Sequence, residues 1–217
     1  MTNKRPRIGI TLRVENIEEY NEKRDAISQE WVNLIEKIQG FPIFIPNTLS
    51  NIEEFLNEMK IDGLVLSGGD NKGDNNDRDI TEQKLIQYGI KHEIPIIGIC
   101  RGMQVINNYF GGSVKVTDNN KHVVKNHDVQ IINNIIKEYT NVGKKEVNSF
   151  HHNIIFDENL GDNLKVFARS MNDNSIEGLF HETFPIIGVM WHPERERNLE
   201  EEKKLMQIFS DKKNLEY

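Results

Sequence analysis

The sequence predicts an α/β fold with an open, mostly parallel central sheet, helices on both faces and antiparallel additions in the C-terminal half. Short apolar runs alternate with amphipathic segments through residues 7–112. Strands of a parallel sheet are buried on both faces and read as continuous apolar runs, so this alternation indicates strand–helix–strand units. Beyond residue 120, strand-like runs follow one another with few helices between them. We therefore expect residues 1–217 to form one domain with antiparallel strands added to the same sheet.

The first half contains four predicted strands with helices between them. The strands are RIGITL (7–12), PIFIP (42–46), IDGLVLSGG (61–69) and IPIIGIC (94–100). Helical periodicity predicts a helix over residues 25–39, which Gly40 ends. Further helices are predicted at residues 51–60, 78–92 and 101–112. The polar segment GGDNKGDNNDRD (68–79) reads as a loop, either on the open surface or as a lid over a substrate.

The second half is richer in strands. We expect them in HVVKNHDVQII (122–132), KKEVNSF (144–150), LKVFARS (164–170), SIEGLF (175–180) and PIIGVMW (185–191). A C-terminal helix is predicted near residues 199–212.

The composition narrows the class of partner. The net charge is −7 and the basic residues are dispersed, whereas a nucleic-acid surface needs a basic stripe. A nucleotide-sized ligand needs only one or two local cations. No apolar run approaches the roughly 20 residues that cross a bilayer, and the N-terminus has no apolar signal core. We expect a cytoplasmic protein with no membrane or nucleic-acid partner.

Cys100 is the only cysteine, so no intramolecular disulfide can form. A lone cysteine is commonly a small buried apolar residue, but this one lies in GICRG, between an apolar strand and a helix. Gly98 and Gly102 fit the tight strand-to-helix turn that exposes a nucleophile. There the helix N-terminus stabilises a thiolate, and the N–H of Arg101 can face an oxyanion. The Arg101 side chain would add positive potential or form a surface salt bridge.

A candidate base follows a second apolar strand, in GVMWHPE. His192 leaves the strand end, where a neighbouring parallel strand would bring it beside Cys100. Pro193 favours an extended His192. Residues two apart then point the same way, so Glu194 can hold the imidazole tautomer.

Four segments in order, LVLSGGD, PIIGICRGMQVINNYFGG, EVNSFHH and PIIGVMWHPE, resemble the class I glutamine amidotransferase family. More narrowly, they are similar to its free-standing γ-glutamyl hydrolase branch, peptidase C26. Weaker similarity at IGITLR and GFPIFIPN extends the likeness over most of the chain. The resemblance implies cysteine-dependent hydrolysis of a γ-glutamyl amide through a thioester, with release of L-glutamate. It implies neither a metal nor an organic cofactor.

The resemblance also implies residue roles. Cys100 would be the nucleophile, His192 the general base and Glu194 its orienting carboxylate. The oxyanion hole would consist of the backbone N–H groups of Gly69 and Arg101. The substrate contacts it implies are Gly68, Gln104, Ser149, Phe150 and His151. We interpret His122, His127 and His181 as surface or packing residues.

The leaving group is less determined. The segment after Gly69 lacks the longer proline-containing loop of the family, so we expect an unusual leaving group, foremost a phosphorylated, nucleotide-linked one. A γ-glutamyl-γ-aminobutyrate-type hydrolase and a glutaminase subunit that donates ammonia to a partner are the alternatives. Arg13, Arg24 and Asp25 are candidate substrate contacts or merely solvated charges at a helix start. The oligomeric state stays open.

Two readings come from other classes. A cysteine-elbow α/β-hydrolase is disfavoured because its acid usually precedes the histidine, whereas Glu194 follows His192. A non-catalytic binding module of the same fold is disfavoured because Cys100, His192 and Glu194 are all present.

Overall fold

The computed structural model describes residues 5–116, 125–132, 143–196, 199–206 and 209. In chain order the strands are β1 (Arg7–Thr11), β2 (Arg13–Ile17), β3 (Glu22–Ala26), β4 (Phe41–Ile45), β5 (Gly63–Leu66), β6 (Ile96–Ile99), β7 (Lys115–Val116), β8 (His127–Ile131), β9 (Gly143–Val147), β10 (Asn153–Ile154), β11 (Leu164–Ser170), β12 (Ile176–His181) and β13 (Ile186–Val189). The α-helices are α1 (Glu30–Lys37), α2 (Ile52–Met59), α3 (Asn76–His92), α4 (Arg101–Tyr109) and α5 (Leu199–Met206).

Nine strands form the central sheet, in the order β4-β1-β5-β6-β13-β12-β11-β8-β9. The pairs from β4 through β13 are parallel, and the pairs from β13 through β9 are antiparallel. The predicted α/β class, with antiparallel additions from the second half of the chain, is therefore confirmed.

Two apolar clusters cover the two faces of the sheet. On one face Trp31, Leu34 and Ile35 of α1 pack in the same cluster as Leu205 and Met206 of α5. On the other face, α2, α3 and α4 bury their apolar sides together. None of the helices in the described ranges is both long enough and apolar enough to cross a membrane.

The N-terminal polar stretch differs from its prediction. Residues 22–26 form β3, which pairs with β2 as an antiparallel hairpin, and α1 begins only at Glu30. The hairpin carries mostly exposed side chains, so apolar periodicity gave no sign of it. Asp25 anchors it, because its carboxylate accepts hydrogen bonds from the backbone N–H and side-chain Nδ2 of Asn47 at 3.0 and 2.7 Å.

The polar loop is shorter than predicted. Helix α3 begins at Asn76 because the Asn75 side chain caps it, accepting a hydrogen bond from the Arg78 N–H at 3.2 Å. The loop therefore ends at residue 75. The beginning of the predicted strand at residues 122–132, including His122, lies outside the described residues, as does most of the C-terminal helix prediction beyond Met206.

The turn from β6 into α4 depends on two glycines in close contact. A Cβ on Gly98 would lie 2.6 Å from the backbone of Gly102, and a Cβ on Gly102 would lie 2.0 Å from the carbonyl oxygen of Leu66 in β5. Both obstacles are backbone atoms of packed elements and cannot rotate away. The glycines therefore allow α4 to begin directly against the sheet.

We expect Gly102→Ala to destabilise the fold by about 3 kcal/mol, since the new methyl group forces two backbones apart. Gly73→Ala is the matched control: its Cβ would meet no atom within 4 Å, leaving only the strain of a positive φ, about 1 kcal/mol. Urea denaturation of both variants measures the difference. Equal losses would contradict this account of the turn.

Candidate active site

Cys100 occupies the turn between β6 and α4, at the carboxyl edge of the parallel strands. It is the N-cap residue of α4, and its backbone has a φ of +50° and a ψ of −102°. A non-glycine residue in such a conformation is strained, and such strain concentrates at functional sites. The Cys100 N–H donates to the carbonyl oxygen of Val189 in β13 at 2.8 Å. The thiol-bearing residue is thus fixed to the neighbouring strand as well as to its own helix.

Strand β13 brings His192 to the same edge. Ile99 of β6 lies opposite Val189 of β13, so both chains leave the sheet side by side. His192 Nδ1 donates to Glu194 Oε1 at 2.7 Å, and Cys100 is near enough to the imidazole to affect its pKa. The structure therefore brings Cys100, His192 and Glu194 together, and all three are buried.

The surroundings of His192 favour its protonated form. Burial by itself lowers the pKa of His192, but the hydrogen bonds and charges of Cys100 and Glu194 outweigh it and raise the pKa to about 9. With Nδ1 committed to Glu194, Nε2 is the nitrogen left for Cys100. The ring is therefore expected to carry a proton near neutral pH.

Asn148 holds the His192 backbone on both sides. Its Oδ1 accepts from the His192 N–H at 2.9 Å, and its Nδ2 donates to the His192 carbonyl oxygen at 2.8 Å. Asn148 Nδ2 also donates to Glu196 Oε1 at 2.6 Å. Asn148 lies in the NSFHH segment that carries the family resemblance, but no role for it was predicted. The sequence gives no local sign of this role, because Asn148 and His192 are 44 residues apart in the chain.

The glycine turn after β5 faces the same site. A Cβ on Gly68 would lie 2.7 Å from His192 Cε1, so only glycine allows the ring this close. Gly69 has a φ of +131°, which a side chain rarely tolerates. Below the turn, Ser67 donates from its N–H to Thr11 Oγ1 at 2.9 Å and from its Oγ to the Thr11 carbonyl at 2.7 Å. These bonds fix the end of β5 to β1.

The Arg101 side chain corrects one expectation. It is neither exposed nor free to add positive potential, because it is buried and paired with two carboxylates of α3, Glu82 and Asp79. The distance from Nη2 to Asp79 Oδ1 is 2.5 Å. Arg101 Nε has no hydrogen-bond partner among the described residues, but the side chain is buried, so the backbone N–H of Arg101 is its candidate donor in the site.

Glu82 extends this ion pair to a second buried arginine. Arg78 Nε donates to Glu82 Oε1 at 3.1 Å, and Arg78 also pairs with Asp70. Arg78 Nη2 donates to the carbonyl oxygens of Ser67 and Gly68 at 2.9 and 3.0 Å. One network therefore connects the glycine turn, α3 and the residue that follows Cys100.

The predicted substrate contacts divide into two groups. Gln104 and Ser149 are buried close to the triad, and Phe150 is 39% exposed, with its ring edge-on to His192 at 5.6 Å between centroids. Gln104 Oε1 accepts from Asn153 Nδ2 at 3.2 Å. His151 is buried to the same extent as Gln104, and its Nδ1 donates to the Asn153 carbonyl oxygen at 2.9 Å. Its other ring nitrogen, Nε2, lies 3.7 Å from Glu177 Oε1, so both ring nitrogens face groups of the protein.

His151 belongs to a buried group with Glu177 and His127. Glu177 Oε1 lies 3.7 Å from His151 Nε2 and 3.4 Å from His127 Nε2. Burial lowers the pKa of His127, but the hydrogen bond and charge of Glu177 outweigh it, so the pKa is raised. His127 and His181 are both buried, as expected of packing residues. No group in the described ranges has three or more His, Cys, Asp or Glu side chains placed to hold a metal ion.

The three N-terminal candidates have different surroundings. Arg24 is exposed and paired with Glu22 at 2.8 Å, and Asp25 anchors the hairpin to Asn47. Arg13 alone reaches the site, where it lines a cavity together with Gly68, Gly69 and His192.

The chain is similar to known proteins both in sequence and in structure. In sequence, the chain is 33% identical over 210 residues to the γ-glutamyl-CDP-amidate hydrolase of Campylobacter jejuni, covering 94% of this chain and 97% of that one. In structure, it resembles a candidate GMP synthase component from Thermoplasma acidophilum (TM-score 0.75, 23% identity, 96% and 94% of the two chains). It also resembles a glutamine amidotransferase from Thermotoga maritima (TM-score 0.66, 18% identity, 96% and 84%).

The model of the peptidase C26 family matches residues 6–194. This range includes Cys100, the glycine turn, Asn148, His192 and Glu194. The chain therefore belongs to the peptidase C26 family and is a C–N hydrolase of the class I glutamine amidotransferase type.

Proposed function

We propose that the chain hydrolyses the γ-glutamyl amide bond of γ-glutamyl-CDP-amidate, releasing L-glutamate and cytidine diphosphoramidate for capsule phosphoramidate synthesis. The alignment of Cys100, His192 and Glu194 at the carboxyl edge of β6 and β13 carries the chemistry. The leaving group is supported by the likeness to the Campylobacter hydrolase, which extends over nearly the full length of both chains.

In the first half of the reaction, the Cys100 thiolate attacks the γ-carbonyl carbon. The carbonyl oxygen becomes an oxyanion, for which the backbone N–H groups of Gly69 and Arg101 are the proposed donors. His192 then gives its proton to the departing nitrogen as the C–N bond breaks. Glu194 keeps the ring oriented through Nδ1 and supports its positive charge.

In the second half, water attacks the γ-glutamyl thioester. His192, now neutral, accepts a proton from the water, and a second tetrahedral adduct collapses. The C–S bond breaks, glutamate leaves, and the thiolate–imidazolium pair is restored. Each proton transfer uses His192 Nε2, so the reaction depends on where that ring is held.

The residues proposed to hold the glutamyl group, the acyl pocket, lie near Cys100 and His192 in the chain or in contact with them. Gln104 lies one helical turn after Cys100 and contacts Asn153, while Ser149 and Phe150 follow Asn148 beside His192. These residues belong to α4, which begins after Cys100, and to the segment before β10. We propose that they hold the glutamyl group there, with Ser149 and Phe150 acting largely through backbone atoms.

The substrate is tested with a panel of γ-glutamyl amides assayed for glutamate release. We expect turnover of γ-glutamyl-CDP-amidate, with little of γ-glutamyl-γ-aminobutyrate or glutamine. Cys100→Ala should lose about 10³-fold or more of the activity, since the nucleophile is removed, while the melting temperature stays close to that of the wild type. Brisk turnover of γ-glutamyl-γ-aminobutyrate with none of the nucleotide substrate would overturn the assignment. Glutamine turnover that requires a second protein would instead indicate a glutaminase subunit.

The protonation of His192 provides a second test. Below pH 9 its ring carries the proton that the leaving nitrogen needs, so we expect kcat/KM, which reports on the free enzyme, to fall as the pH rises through about 9. Carbon-13 NMR of the ring should give the same midpoint. In Cys100→Ala the midpoint should move lower, because the contact with Cys100 helps to raise the pKa. An identical midpoint in both proteins would show that no such contact exists.

Asn148 is a positioning residue in this mechanism, because it holds the His192 backbone and not the substrate. We expect Asn148→Ala to lower kcat by about 10- to 100-fold with a small effect on KM, since the ring is displaced from its productive position. Asn126→Ala is the matched control, because Asn126 Nδ2 donates to the exposed Glu146, on the outer strand pair of the described sheet. The melting temperature of each variant reports on the fold. If kcat of a folded Asn148→Ala protein equals that of the control, Asn148 has no part in positioning His192.

A further inference from the structure

A cavity opens beside His192, on the side away from the proposed acyl pocket. About 300 Å³ of space lies within and in front of it, including solvent outside its mouth. The residues that line it include Arg13, Trp31, Gly68, His192, Arg195 and one carboxylate, that of Glu194. Among the described residues, Gln104, Ser149 and His151 are not part of its wall. The cavity therefore borders His192, the proposed proton donor to the leaving nitrogen, and Cys100 is not among its lining residues.

This position identifies the cavity with the leaving group. In the tetrahedral adduct, the glutamyl chain and the nitrogen substituent extend from the same carbon in different directions. Because the glutamyl chain is proposed to lie toward Gln104, the other substituent extends past His192. Gly68 keeps this path open, since a Cβ there would press against the His192 ring.

The Arg13 guanidinium has an N–H group without a hydrogen-bond partner among the described residues. Its Nε is buried and has no hydrogen-bond partner among the described residues. Its Nη2 pairs with Glu15 at 2.6 Å, but both side chains are more than 40% exposed, and exposed pairs of this kind contribute little. An anion in the cavity could therefore compete with Glu15 for this guanidinium.

Arg195 is the second cation of the cavity. Its guanidinium lies over the Phe150 ring, 4.6 Å from the centroid, which holds it in place without using its N–H groups. Its Nε is 3.6 Å from Glu194 Oε1, longer than a hydrogen bond. In contrast, Arg78 and Arg101 are buried and paired with carboxylates, so they cannot serve a ligand.

We propose that Arg13 and Arg195 form the binding site for the diphosphate of the leaving group. Guanidinium groups match phosphate oxygens in geometry and charge. This inference rests on the proposed function for its substrate, but the site itself can be tested by binding alone. A single carboxylate, as in γ-aminobutyrate, is the competing anion.

Binding is measured by calorimetry with the full-length Cys100→Ala protein, using CDP and inorganic pyrophosphate as probes. We expect Arg13→Met and Arg195→Met, each added to Cys100→Ala, to raise the Kd of CDP about tenfold, the loss of one charge-assisted contact. Arg24→Met is the matched control, because Arg24 lies on the same hairpin but is exposed and paired with Glu22. Equal Kd values in all three variants would overturn the site. So would γ-aminobutyrate binding as tightly as CDP and with the same dependence on the arginines.

Turnover separates this inference from the proposed function. With Cys100 present, Arg13→Met and Arg195→Met should lower the ratio of kcat/KM for γ-glutamyl-CDP-amidate to that for neutral γ-glutamyl-p-nitroanilide by tenfold or more. If the nucleotide substrate is hydrolysed but this ratio does not change, the function stands and the arginine site falls. If CDP binds through the arginines but no γ-glutamyl amide is hydrolysed, the site stands and the function falls.

Discussion

The geometry of the site depends on the buried ion pairs that the Glu82 carboxylate makes with two arginines. It pairs with Arg78 on one side and Arg101 on the other, and all three side chains are buried. Arg78 donates to the carbonyl oxygens of Ser67 and Gly68, so these ion pairs fix the glycine turn relative to the residue after Cys100. Buried pairs add little net stability, yet removing one partner leaves an uncompensated charge that costs several kcal/mol, about 3–5. The network therefore specifies the distance between the two proposed oxyanion donors more than it stabilises the fold.

The other half of the site is held by hydrogen bonds from the antiparallel part of the sheet. Asn148 follows β9 and binds the His192 backbone twice. The segment after it returns through His151, which packs against Glu177 of β12, as does His127 of β8. The parallel strands thus carry Cys100 and His192 to one edge, and the segment after the antiparallel strand β9 holds the His192 backbone. Both parts of the sheet therefore contribute to the proposed triad.

Periodic and local features could be predicted from the sequence. The sheet strands appear as apolar runs, and Cys100 and His192 each follow one, so their meeting at one edge required only parallel pairing of β6 and β13. Interactions between distant segments left no local pattern. Arg101 read as a surface cation because Glu82 and Asp79 belong to another helix. The β2–β3 hairpin was missed because its side chains are mostly exposed, and Asn148 because its role depends on a backbone 44 residues away.

The arginines near the site differ in burial, and this difference decides which of them can contact a ligand. Arg78 and Arg101 are buried and paired with carboxylates. Their charges are therefore neutralised by ion pairs within the fold. Arg13 and Arg195 are partly exposed and border the cavity beside His192. A cation held over an aromatic ring keeps its N–H groups available, which is the situation of Arg195 over Phe150. The partly exposed cations beside His192 are therefore Arg13 and Arg195, and not Arg101, where the sequence of the elbow suggests one. In the proposed reaction, an anionic leaving group would meet them as the C–N bond breaks.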